Sequence, residues 1–461
     1  MADRSATRDL AEFASGLTAL PEEVRDRAHL LMLDWLGCAV GGSRDRVTGI
    51  ALGLAREMGP EWGRSEWVGG GAGSSPSWAA YLNAVAGHVL EQDDLHPSSV
   101  AHLGTVVIPA ALAAAQATGA SGEDLVCGVV AGYEVGARVG EYLGPSHYEI
   151  FHTTGTAGTL AAAAAVGRVL GLGLQPMSDA LGNAGTQAAG LWQFMQDGAD
   201  SKALHAGNAA SQGVAAAFLA RAGLRGSHRI LEGSQGLGAA LSRAPTAESL
   251  WDGLGRRWAT TEVAMKVHAC CRHTHPSIDA LLQAVREHNL TPGDIEAVEA
   301  HVHRAALDVL QPVVDPKDPH EARFCMPFVL SLAALHGAAD VDGFQQLLHD
   351  PEVRSWMPRV SMTFDPEIEA AYPRHWRGRV AIRLCSGRRI VSEVADPLGD
   401  PALPLGLPEV ESKMVRLVRF AGGEPARVAA VSGAVRALGP AAPPPGLLGP
   451  LRARAEERAP V

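Results

Sequence analysis

From Leu10 to about Arg243, apolar residues recur at three- and four-residue intervals, with glycine-rich breaks between the periodic stretches. That spacing predicts a succession of packed helices. In LNAVAGHVLEQDD, Leu82, Val85, Ala86, Val89 and Leu90 fall on one stripe of such a helix, while His88 and Glu91, three apart, share another side. Ser121-Gly-Glu-Asp124 resembles a capping box and opens a helix through Leu125, Val126, Val129 and Val130. The run TLAAAAAVGRVLGL reads as a small-residue helix that neighbours can approach closely.

After about Thr261 the period changes. Val298, Ala300 and Val302 alternate with Glu299, His301 and His303, the mark of a strand with one buried face. Val380, Ile382 and Leu384 alternate again, and Ser386-Gly387 supplies turn chemistry before Arg389 to Val394, which predicts a hairpin. Helical stretches, notably 277–288 and 323–336, lie between these strands, and helical spacing returns from Pro408 to about Phe420. The expected fold is therefore mainly α: an all-helical domain over 1–260, a smaller α+β domain over 261–405, a return to the helical domain over 406–425, and a Pro-rich mobile tail over 426–461.

Composition narrows the classes of function. The chain has 461 residues, 47% of them hydrophobic but only 5% aromatic, which favours closely packed helices over an aromatic-rich sandwich. Thirty-nine Lys and Arg against fifty Asp and Glu give a net charge of −11. No basic cluster offsets that balance, so neither nucleic acid nor an anionic membrane surface is an expected partner. An acidic protein that binds an anion must also concentrate its few cations in the pocket. No apolar run supplies the ~20 uninterrupted residues needed to span a bilayer, and the N-terminal stretch lacks a signal-peptide core. Six cysteines including a vicinal pair do not resemble a disulfide framework, and together these features lead us to expect a cytoplasmic protein.

Four polar stretches carry candidate chemistry. The densest, His88 to Thr105, holds Glu91, Asp93, Asp94, His96 and His102 where a helix gives way to a Pro-broken loop. In the second, Phe151-His152-Thr153-Thr154-Gly155, a histidine precedes a helix whose free N–H groups can hold a carboxylate. The third places Lys202 and His205 three residues apart. The fourth, Lys266-Val-His268-Ala-Cys270-Cys271-Arg272-His273-Thr-His275, brings lysine, arginine and imidazoles to the predicted junction between lobes. Taken singly, each has an ordinary alternative: a solvated lysine, a core histidine or a helix-end acid. Cys-Cys-x-His-x-His lacks the usual spacers of a zinc site and a second paired half, so no metal is expected there. Gly69-Gly-Gly71-Ala-Gly73 supports neither a phosphate loop nor a dinucleotide fingerprint, and no Gly-x-Ser-x-Gly elbow is present.

In this order, in a helical lobe followed by an α+β lobe, the four stretches resemble the MmgE/PrpD family over roughly residues 10–420. The family includes 2-methylcitrate dehydratase, cis-aconitate decarboxylase and iminodisuccinate epimerase. The resemblance implies a large helical domain with an α+β lid, a homodimer, a small polycarboxylate substrate, and no required metal or organic cofactor. It also implies catalytic roles for His102, His152, Lys202, Lys266 and Asp93, with Glu91, Asp94, His205, Cys271, Arg272 and His275 as substrate-binding residues. The lysines would bind carboxylates and stabilise charge, and His102, then His152, would move the proton. Decarboxylase-type members carry aspartate and threonine where this chain has Glu91 and Leu95, histidine where it has Cys271, and tyrosine where it has Phe324. The expected activity is accordingly a lyase of the 2-methylcitrate dehydratase type, acting by proton abstraction next to a carboxylate. An epimerase or isomerase of an iminodisuccinate-like acid is the alternative, and a non-catalytic acid-binding or scaffold protein is the reading from another class.

Overall fold

A computed structural model describes residues 5–60, 62–310 and 313–452. The chain is mainly α, with one four-stranded sheet, and it divides into two compact units. The first unit comprises 1–89, 93–263 and 406–461, and the second 90–92 and 264–405.

The first unit is helical. Its central pieces are the helices Pro76–His88, Gly104–Thr118, Gly122–Tyr148, Thr153–Val169 and Ser201–Arg221. The alanine-rich helix Thr153–Val169 is buried along its whole length, which requires neighbours that come unusually close. Gly132 and Gly136 meet that requirement. A Cβ at Gly132 would stand 2.9 Å from the carbonyl oxygen of Ala161, and one at Gly136 would stand 2.7 Å from the Ala161 methyl. The capping box opens the helix Gly122–Tyr148, with Ser121 accepting from the Asp124 N–H and the Asp124 carboxylate accepting from the Ser121 N–H.

The helix Leu407–Phe420 packs on Glu22–Gly41, and its Lys413 donates to the buried Asp34 at 2.6 Å. Within the segment expected as a mobile tail, 428–436 are instead helical, and Val428, Val431, Val435, Leu447, Leu448 and Leu451 are buried. Valines at helical spacing outweigh the prolines there; residues 453–461 lie outside the described residues.

The second unit carries β1 (Ile295–Val302), β2 (Val360–Phe364), β3 (Gly378–Leu384) and β4 (Arg389–Val394), in the order β2-β1-β3-β4. β1 is parallel to β2 and antiparallel to β3, and β3–β4 is the expected hairpin, turning through Gly387 at φ +84°. The helices His275–His288 and Met326–His336 cover the sheet, the first on β3 and β4 and the second on β2. No helix among the described residues is long and apolar enough to cross a membrane.

Candidate active site

The helix Pro76–His88 ends at His88, and an irregular loop then leads to the helix beginning at Gly104. Within it the backbone of His96 pairs with Ala101, and Ser99 donates its N–H to His96 Nδ1 at 3.3 Å, so the chain folds back before His102. Gly104 donates its N–H to Asp94 Oδ1 at 2.9 Å. A Cβ at Gly104 would lie 2.7 Å from Asp94 Oδ2 and 2.5 Å from the Tyr133 hydroxyl, so only glycine permits this approach. Tyr133 in turn donates a short hydrogen bond to Asp94 Oδ2.

Two imidazoles converge on one carboxylate. His88 Nδ1 lies 2.6 Å and His102 Nδ1 3.3 Å from Asp93 Oδ2. Burial alone would raise the Asp93 pKa, but His88 and His102 together hold it well below the usual carboxylate range. The carboxylate is therefore an acceptor, and His88 Nδ1 donates to it. His102 Nδ1 is also 2.7 Å from the backbone carbonyl of Asp94, which can only accept, so Nδ1 carries a proton and, in the neutral ring, the basic lone pair is on Nε2. The His102 N–H donates to Thr154 Oγ1 at 3.0 Å, tying the loop to the start of the Thr153–Val169 helix. Asp94 behaves oppositely to Asp93: burial pushes it up to about 7, reinforced by the charge of Asp93 and opposed by the Tyr133 and Gly104 hydrogen bonds.

The cluster extends through stacked rings. His88 and His152 stack with centroids 5.6 Å apart, His88 and His102 meet edge-on at 4.9 Å, and Trp192 lies 4.8 Å from His152. His152 Nδ1 is 3.2 Å from His205 Nδ1. Burial, and then the neighbouring His88 and Lys202, lower both rings, His152 well below its usual range and His205 to about 4. Lys202, on the first turn of the Ser201–Arg221 helix, is only 4% exposed, which departs from the surface lysine that residue type alone would suggest. The first unit thus brings together Asp93, Asp94, His102, His152, Lys202 and His205, and adds His88, Tyr133, Thr154 and Trp192.

The second unit holds the remaining expected residues. Lys266 Nζ pairs with Glu91 Oε2 at 3.1 Å, both side chains buried, and Glu91 adopts φ +54°, a left-handed backbone that glutamate rarely takes. Arg272 pairs with Asp400 at 3.1 Å and lies 3.4 Å from His275 Nδ1. Burial, then Arg272, keeps His275 neutral. Cys271 is held by its N–H, which donates to the Arg323 carbonyl at 2.9 Å. Arg272 and His275 are thus engaged with internal partners, and Asp400, 128 residues away, gave no signal in the sequence.

Among the described residues, two groups of His, Cys, Asp or Glu have donor atoms close enough to hold an ion: His88, Asp93 and His102, and His96, Glu141 and Glu262. Neither contains Cys270 or Cys271, and no disulfide joins the six cysteines. In the first group both Nδ1 atoms are spent donating to oxygen. In the second the Arg257 guanidinium already bridges the two carboxylates, at 2.6 Å from Glu141 and 2.8 Å from Glu262.

Residues 8–250 match the MmgE/PrpD N-terminal domain and 268–435 the MmgE/PrpD C-terminal domain. A cis-aconitate decarboxylase-like protein of Aspergillus oryzae is 29% identical over 446 residues, covering 90% of each chain. The cis-aconitate decarboxylase of Aspergillus terreus is 28% identical, covering 86% of each, and that of Mus musculus is 29% identical, covering 79% of this chain and 77% of its own.

Proposed function

The chain belongs to the MmgE/PrpD family, and from that premise we propose that it is a cofactor-independent lyase that removes a proton next to a carboxylate of a small polycarboxylic acid. The observation that carries the reading is the fixed tautomer of His102. Its Nδ1 is committed to the Asp94 carbonyl and to ionised Asp93, leaving Nε2 as a base whose orientation is set before substrate arrives. Taking the substrate's proton at Nε2 makes His102 an imidazolium, and the adjacent Asp93 carboxylate stabilises that charge.

The developing enediolate needs positive charge in a water-poor setting. Lys202 supplies a buried cation in the same unit as His102, and we assign Lys266, with Glu91 beside it, to carboxylate binding in the second unit. Glu91, Leu95, Cys271 and Phe324, at positions where the resemblance gives decarboxylase-type members other residues, argue against decarboxylation of cis-aconitate and leave elimination, with epimerisation as its alternative. The curated relatives favour a second outcome from the same base, release of carbon dioxide from an unsaturated tricarboxylate. Incubating purified protein with citrate, methylcitrate, aconitate and iminodisuccinate in D₂O separates the outcomes. New alkene absorbance without carbon dioxide marks elimination, carbon dioxide release marks decarboxylation, and deuterium without either marks epimerisation. Inertness toward all of them would reject the proposal.

A further inference from the structure

His205 stands at the boundary between the buried imidazole cluster and a cavity of about 550 Å³ lined by Gly190, Leu191, Asp197, Asn208 and Gln212. The cavity reaches the surface at Leu191 and Leu204, both more than two-fifths exposed. On its inner side His205 Nδ1 meets His152 Nδ1 at 3.2 Å. The far nitrogen of His152, Nε2, is buried and has no hydrogen-bond partner among the described residues. Two rings are thus joined through one shared proton, with one outer nitrogen in the interior and the other ring on a cavity open to solvent.

We propose that His152 and His205 form a proton relay between solvent in this cavity and the reacting centre. The inference rests on the lyase reading above and extends it, since it assigns the source or sink of the reaction's proton. In the delivering direction, one proton adds to His205 Nε2 from water and the His205 Nδ1 proton crosses to His152 Nδ1. The His152 Nε2 proton then leaves for the substrate. One proton enters, one leaves, and no charge remains on the pair, but both tautomers are inverted; the reverse sequence carries a proton out and restores them. Neutral rings suit this task, because neither holds the proton it passes. His205 acts through His152 and is therefore a positioning and relay residue.

The test uses the full chain in three forms: wild type, His205→Ala and His205→Gln. Glutamine keeps a hydrogen-bonding partner for His152 but cannot accept a proton at one atom and release it at another. Both variants are expected to lose about tenfold or more in kcat with KM little changed. Imidazole added at tens of millimolar should restore His205→Ala through the cavity. Full activity in His205→Gln would assign His205 a structural role and overturn the relay, as would a deficit in His205→Ala that imidazole does not repair. The relay is also read without substrate, from ring-nitrogen NMR of histidine-labelled wild-type protein. Fast solvent exchange of the proton shared by His152 and His205 supports it, and exchange slower than minutes overturns it. A wild-type protein inert toward every acid would remove the lyase reading, and this exchange measurement would still decide the relay.

Discussion

His102 Nδ1 donates to the backbone carbonyl of Asp94 at 2.7 Å, and that bond decides which nitrogen of the ring can act as a base. The same ring nitrogen lies 3.3 Å from Asp93, whose charge is preserved by two imidazoles against the cost of burial. Adjacent aspartates thereby take different tasks: the side chain of Asp93 supports the charge of His102, while the main chain of Asp94 fixes its tautomer.

Asp93→Asn should lower kcat on the order of 10²-fold or more, because an amide can still accept from the rings but lacks the negative charge that stabilises the His102 imidazolium. Thermal unfolding should change much less than turnover. A variant with wild-type kcat would detach Asp93 from the mechanism.

The two lysines should respond differently. Lys202→Met removes a buried cation and should cost about 1.5–3 kcal/mol of transition-state stabilisation, roughly ten- to more than hundred-fold in kcat/KM. Lys266→Met should do the same and also destabilise the fold by up to about 3–5 kcal/mol, since it removes the cation facing buried Glu91. Adding Glu91→Gln should recover much of that stability but not the activity. Calorimetry and steady-state kinetics on the three variants check both halves, and unchanged kinetics in either single variant would return that lysine to a structural role.

The Asp94 carboxyl, pushed up to about 7, makes stability depend on pH. Its native pKa exceeds its unfolded one, so its contribution is fully present below about pH 4 and is lost as pH rises through about 7. His205, lowered to about 4, has the opposite sign: its contribution is present above about 6.5 and is lost as pH falls through 4. Unfolding midpoints measured from pH 4 to 9 should therefore rise more, or fall less, between about pH 4 and 7 in Asp94→Asn than in wild type. Parallel curves would contradict the Asp94 assignment.

Chelation should leave turnover intact, because the Nδ1 atoms of His88 and His102 already donate to oxygen. A stoichiometric metal content, with activity lost in chelator and restored by the ion, would contradict that prediction.

Much of the arrangement was legible because the chain concentrates it. Glu91, Asp93, Asp94 and His102 fall within twelve residues at a helix end, and alternation at 298–302 and 380–384 exposed β1 and β3. What escaped depends on long-range packing. Asp400 beside Arg272 is far away in sequence, Trp192 beside His152 sits in no polar motif, and the burial of Lys202 runs against its residue type. Strand β2 is only five residues long and lies beside β1 through parallel pairing, which local periodicity does not reveal. His88 lay in the densest polar stretch, but its role emerges only when the chain folds back to bring Asp93 to 2.6 Å.

The central claim is that His102 Nε2 takes the proton, and exchange of the substrate's carbon-bound hydrogen in D₂O tests it most directly. With the acid that wild-type protein turns over, mass spectrometry should show deuterium uptake in wild type. His102→Gln should slow that uptake by about 10²- to 10⁴-fold while still binding the acid and unfolding at a similar temperature. Deuterium uptake at the wild-type rate in His102→Gln would contradict the account.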